Sequence, residues 1–167
     1  MLTPTVVTKG GTPLRGAAYW EHESVAKLLL KQANVSVNGR DLGGITPLAC
    51  ASGRNHGRVV KILLEREHVM SNWADTGGRT PFLFAAVLGM EGVVKLLLER
   101  EDIDPNLPDD HGGTPFFYPA KFGHEGVVKL LLPWNTGSYG NQDERGRTPR
   151  RPASSEEQEG VVRLLWT

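Results

Sequence analysis

Apolar residues along this chain gather in two alternating textures. One is a dense aliphatic run, seen at Leu28-Leu29-Leu30, Ile62-Leu63-Leu64, Leu96-Leu97-Leu98 and Leu130-Leu131-Leu132. In the third run Val93, Leu96 and Leu97 stand at i, i+3 and i+4, and Val94 and Leu98 widen the stripe, which predicts a helix from about Glu91 to Arg100. The other texture is a shorter, smaller-residue block such as Ala17-Ala18 or Ala85-Ala86, introduced by Thr-Pro. The Thr hydroxyl suits a helix N-cap, and Pro at the first helical position gives up an N–H that has no intrahelical partner anyway. A short first helix is therefore predicted at each Thr-Pro, ending in the third unit near Gly89. Polar Asn, Asp and Gly then fill the stretch between the second helix and the next Thr-Pro, as expected of turns.

The alternation is periodic. Thr-Pro recurs at 12–13, 46–47, 80–81, 114–115 and 148–149, always 34 residues apart, with a Gly two residues before each Thr and no gap needed to align the units. Asn38, Asn72 and Asn106, then Asp41, Asp75, Asp109 and Asp143, keep the same register. A fixed period of this length marks a solenoid of stacked supersecondary units, because the apolar face of one helix pair is too large for a single unit to bury. The prediction is an all-α solenoid of five helix-turn-helix units with protruding turns, beginning near residues 9, 41, 75, 109 and 143, forming one domain over 1–167.

The pattern Asp-x-x-Gly-x-Thr-Pro, followed by an Ala pair, Gly-His and Val-Val-Lys-Leu-Leu-Leu, resembles the ankyrin repeat, most closely in the third and fourth units. The wording of 123–132 and 99–106 is similar to ankyrin arrays of filamentous fungi. The resemblance implies a scaffold that presents its turn tips and first helices as a concave recognition surface, and a structural hydrogen-bonding role for His22, His56 and His124, which share one repeat position. Departures are specific. The period exceeds the usual one of about 33 by a residue, which the link after the second helix tolerates best. Glu21, Asn55 and Glu157 stand where other units have Gly89 and Gly123, and Pro119 replaces an Ala and is expected to kink the fourth unit's first helix. The fifth unit has Arg150 at the core position of Leu14, Leu48, Phe82 and Phe116, with Pro152 following; it reads as a degenerate C-terminal cap with the polar run 154–159 as its outer face.

Charge and composition narrow the function. Nineteen basic and nineteen acidic residues balance, so the long-range field that draws proteins onto nucleic acid or anionic membranes is missing. The single Cys50 rules out an internal disulfide, and with no apolar leader or span the expected compartment is cytosol or nucleus. The glycine pairs recur as turn glycines and lack the Lys-Ser/Thr of a phosphate loop. The repeated histidines lie too far apart to share an ion, so no metal or other cofactor is expected. His111, beside Asp109 and Asp110, sits at a turn tip; Cys50 has no His one turn away and reads as a half-buried, inert thiol. No catalytic constellation emerges.

By register the outward residues of the first helices are Tyr19-Trp20, Gly53-Arg54, Val87-Leu88, Lys121-Phe122 and Ser155-Glu156, with Leu42, Ile45, Arg79 and His111 among the tips. That surface is rich in aromatic and arginine side chains, the residue types enriched at binding hot spots. The predicted recognition surface is Tyr19, Trp20, Arg54, Arg79, Leu88, His111, Lys121 and Phe122, holding a protein or peptide segment. Two alternatives stay open: Tyr19 and Trp20 as a cover for the N-terminal end of the stack, and the same apolar groove as a site for a hydrophobic small molecule, with or without an enzymatic activity.

Overall fold

The computed structural model describes residues 11–134 together with Gly160, Arg163 and Leu164. Its helices come in pairs: α1 (Pro13–Tyr19) with α2 (Glu23–Leu29), α3 (Pro47–Gly53) with α4 (Gly57–Leu64), α5 (Pro81–Val87) with α6 (Glu91–Leu98), and α7 (Phe117–Phe122) with α8 (Glu125–Leu131). A 3-10 turn over Leu132–Trp134 follows. The threonine caps form as the sequence requires, with Thr12, Thr46 and Thr80 accepting the amides of Arg15, Ala49 and Leu83 at 3.3, 3.1 and 3.1 Å. Each first helix ends on a left-handed residue, and Glu21 (φ 56°) and Asn55 (φ 61°) adopt the conformation that Gly89 and Gly123 supply at φ 72° and 75°.

The first helices α1, α3, α5 and α7 stack side by side in one layer, and α2, α4, α6 and α8 in a second. Leu14, Leu48, Phe82 and Phe116, one per unit, are buried between the layers against Val59, Val60, Leu63, Val93, Val94, Leu97, Val127, Val128 and Leu131. Polar contacts tie each unit to the next at a constant offset. His56 Nε2 donates to the Tyr19 carbonyl at 3.1 Å and His124 Nε2 to the Val87 carbonyl at 3.0 Å. Asn38 bonds the backbone of His68 and Met70, and Asn72 does the same to Asp102 and Asp104. These histidines therefore have the structural role that the resemblance implies. Thr76 N–H and Asp110 N–H reach the Gly43 and Gly77 carbonyls at 3.0 and 3.1 Å, chaining the turn tips.

Two features depart from expectation. Helix α7 begins at Phe117, not at Pro115, although Thr114 still accepts an amide, that of Phe117 at 3.1 Å. Pro119 is the cause: with no N–H to give the Pro115 carbonyl, it fits only within the first turn of a helix, where no intrahelical donor is needed, so the start moves two residues along instead of the helix kinking. Cys50, expected half-buried, is buried, with 8% of its surface exposed. Of the fifth unit, Leu164 packs against the core, while Arg150, Pro152 and the 154–159 run lie outside the described residues.

Candidate functional site

The first-helix layer carries an open pocket of about 490 Å3 between the first three units. Its origin is a pair of small residues. Along the register, the position held by Phe84 in α5 and Tyr118 in α7 is Cys50 in α3, and the position of Tyr19, Val87 and Lys121 is Gly53. In α7 the Tyr118 ring lies over Gly113 and its hydroxyl donates to Asp109 Oδ2 at 2.5 Å. In α5 the Phe84 ring is covered by the Arg79 guanidinium at 4.8 Å. The second unit has no comparable ring, and the space stays empty.

Three elements wall it. Helix α1 contributes Arg15 and Tyr19, α3 contributes Ala49, Cys50, Gly53 and Arg54, and α5 contributes Phe84 and Leu88; Ile45 of the second turn and His56 complete the lining. Burial pushes the Cys50 thiol above its ordinary pKa, against the opposing pull of the Arg15 and Arg54 charges, so the floor is neutral and apolar. Arg15 pairs with Asp41 at 2.9 Å and His56 Nδ1 stands 3.4 Å from Glu21. Arg54 is different: its guanidinium carbon lies over the Tyr19 ring, 3.4 Å from the centroid, and it makes no ion pair among the described residues. Stacking holds the plane while leaving its N–H edge available.

At the turns, Asp41, Asp75 and Asp109 each use Oδ1 to accept two amides of their own loop, at 2.8 to 3.0 Å. This fixes the tips from which Ile45, Arg79 and His111 project. For Asp75 burial acts to raise the pKa, but hydrogen bonds from the Arg79 side chain and from the amides of Arg79 and Gly77 outweigh it and hold the carboxyl below its usual range.

Of the eight residues singled out by sequence, Tyr19, Arg54 and Leu88 converge on this pocket, and Arg79 reaches it through Phe84. Trp20 stands at its outer edge, 67% exposed, with its ring edge-on to Tyr19 at 4.8 Å. Phe122 and Lys121 lie on α7, outside the pocket lining: Phe122 stacks on Tyr118 at 6.1 Å, and the Lys121 ammonium sits 5.0 Å from the Phe122 ring. His111 is an exposed tip residue whose amide bonds Asp109 Oδ1 at 3.0 Å. Sequence reasoning missed Arg15, Ala49 and Phe84 as lining residues, and Cys50 and Gly53 as the positions that open the space. The signal available was their small size against the same register in neighbouring units. Among the described residues no group of three or more His, Cys, Asp or Glu side chains could hold a metal ion, and no helix is long and apolar enough to cross a membrane.

Stacked helix pairs joined by Asp-Gly turns, each opened by Thr-Pro and locked to its neighbour by His and Asn, define an α-helical repeat solenoid. The chain belongs to the ankyrin-repeat family: the family model "Ankyrin repeats (3 copies)" matches residues 14–109, and the α7–α8 pair continues the same architecture beyond it. Ankyrin repeats are in general protein–protein interaction modules. A comparison with curated proteins gave no match.

Proposed function

We propose that this chain binds a segment of another protein along its first-helix layer, with an anchor side chain seated in the pocket between α1, α3 and α5. The observation that carries the reading is the pocket itself, an open apolar dish walled by Tyr19, Phe84 and Leu88, at a register where the third and fourth units carry the rings of Phe84 and Tyr118 and the second has Cys50. Trp20 on one side and Phe122 on the other, 67% and 49% exposed, extend the apolar strip beyond it. Large apolar surface held in water costs about 25 cal/mol per Å2, a cost that a partner segment removes. An open dish takes the side chain of a longer ligand, with the remainder lying across the turns.

Substituting Tyr19→Ala or Leu88→Ala should each weaken a captured partner by about 2 kcal/mol, the usual size of a hot-spot effect, with the folded structure kept. Lys95→Ala, in the exposed part of α6 on the other layer, is the control and should change little. Calorimetric titration of partner into each folded variant decides it. Full affinity in the Tyr19/Leu88 double variant would remove the pocket from the binding surface.

A further inference from the structure

The charges around the pocket select among anchors. Asp41 is paired with Arg15 at 2.9 Å and Asp75 with Arg79 at 2.6 Å, and Glu21 stands 3.4 Å from His56 Nδ1. No Asp or Glu lines the pocket itself. Of the arginines Arg15, Arg54 and Arg79, Arg54 alone has no acidic partner among the described residues, and it packs on the Tyr19 ring. A guanidinium packed over an aromatic ring can still offer N–H groups to a carboxylate in two-point fashion, and the packing lowers the rotamer entropy left to lose when one arrives. An incoming cation would meet uncompensated positive charge instead.

We propose, resting on the reading above, that the partner segment is acidic at this point: an aliphatic or aromatic anchor fills the space over Cys50 and Gly53, and an Asp or Glu within one or two residues of it pairs with Arg54. Gly53 supplies a clean test of the pocket half. A Cβ built there meets the Leu88 and Phe84 side chains at 3.5 and 3.6 Å, ordinary contact distances, so a side chain is accommodated while the open space is taken up. Gly within a helix also lowers stability relative to residues with a side chain, so Gly53→Leu fills the pocket without a backbone cost.

The experiment selects peptides from a random twelve-residue phage-displayed library on the full-length folded chain, then measures the selected synthetic peptides against wild type, Gly53→Leu, Arg54→Glu and Arg54→Lys by fluorescence anisotropy. The expected sequences carry an apolar residue with Asp or Glu beside it. Gly53→Leu should abolish their binding, Arg54→Glu should weaken it tenfold or more, as removal of a charge-assisted pair does, and Arg54→Lys should retain part of it. Raised salt should weaken wild-type binding and, by screening the like charges, strengthen the residual Arg54→Glu binding. Peptides that depend on Gly53 yet show no acidic preference, or are indifferent to Arg54→Glu, overturn the acidic inference and leave the groove reading standing. Peptides indifferent to Gly53→Leu, or no selected peptides at all, overturn both.

Discussion

Ser52 occupies a position that the first, third and fourth units give to alanine: Ala18, Ala86 and Ala120. Its side chain is fully buried, and its hydroxyl finds no hydrogen-bond partner. A buried hydroxyl left unpaired forfeits its hydration without compensation, so Ser52→Ala should raise stability by about 1 kcal/mol, read as a higher urea midpoint at unchanged slope. An unchanged or lower midpoint would mean that the hydroxyl is satisfied in solution. Asp75 illustrates the opposite case, a buried polar group with every lone pair used. Its carboxyl is held below the ordinary value in the fold and returns to about 3.9 in the unfolded chain, so the folded state binds the proton less readily. The stability it contributes is complete above that unfolded value and disappears as pH falls through the folded one. Asp75→Asn should therefore cost stability at pH 7 and progressively less in melts taken below about pH 4. A gap between the two proteins that stays constant down to acid pH would contradict the ionic account.

At the scale of elements, what repeats was legible and what departs from the repeat was legible only in part. The period, the capping threonines and the aliphatic stripes each appear several times in register, so the pairing of helices followed from them directly, although the second helices, expected to be the longer, are seven or eight residues against six or seven for the first. A single substitution inside one copy has no such reinforcement: Pro119 was expected to kink a helix and instead delays its start to Phe117. The pocket escaped notice for a related reason, since it is the space left where Cys50 and Gly53 are smaller than their counterparts in the third and fourth units, while hydrophobic patterns report the side chains that are present. Tyr19, Arg54 and Leu88 were legible because they are large residues at outward positions. Pro119→Ala restores the residue found at Ala17, Ala51 and Ala85 and supplies the missing N–H for the Pro115 carbonyl. It should extend α7 back toward Pro115 and stabilise the chain by roughly 1 kcal/mol, less than the full cost of a mid-helix proline because the fold already accommodates it. Amide chemical shifts and hydrogen exchange over 115–120 would register the gained turn; unaltered shifts at Phe116 and Phe117 would assign the late start to another cause.

For the molecule as a whole, stacking makes burial depend on which neighbours a unit has, even where the residue is the same. Val59, Val93 and Val127 are fully buried, each on a second helix that packs against the one before it, whereas Val25 at the same register of α2 is 45% exposed and Leu28 is 61% exposed against 6% for its counterpart Ile62. His22 likewise has the position from which His56 and His124 reach a preceding carbonyl. One substitution should then have two outcomes at one register. Val59→Lys places an ammonium with no acidic partner inside the stack, where the desolvation cost of several kcal/mol approaches the entire stability of a small domain, and cooperative unfolding should be lost or shifted to very low urea. Val25→Lys, on a face that meets water, should change the midpoint by no more than about 0.5 kcal/mol. Equilibrium urea curves at two protein concentrations test both at once. If Val25→Lys proves nearly as damaging as Val59→Lys, the α2 face is covered in solution; a damage that shrinks as the proteins are diluted would identify the cover as a second molecule, and one independent of concentration would place it within the chain.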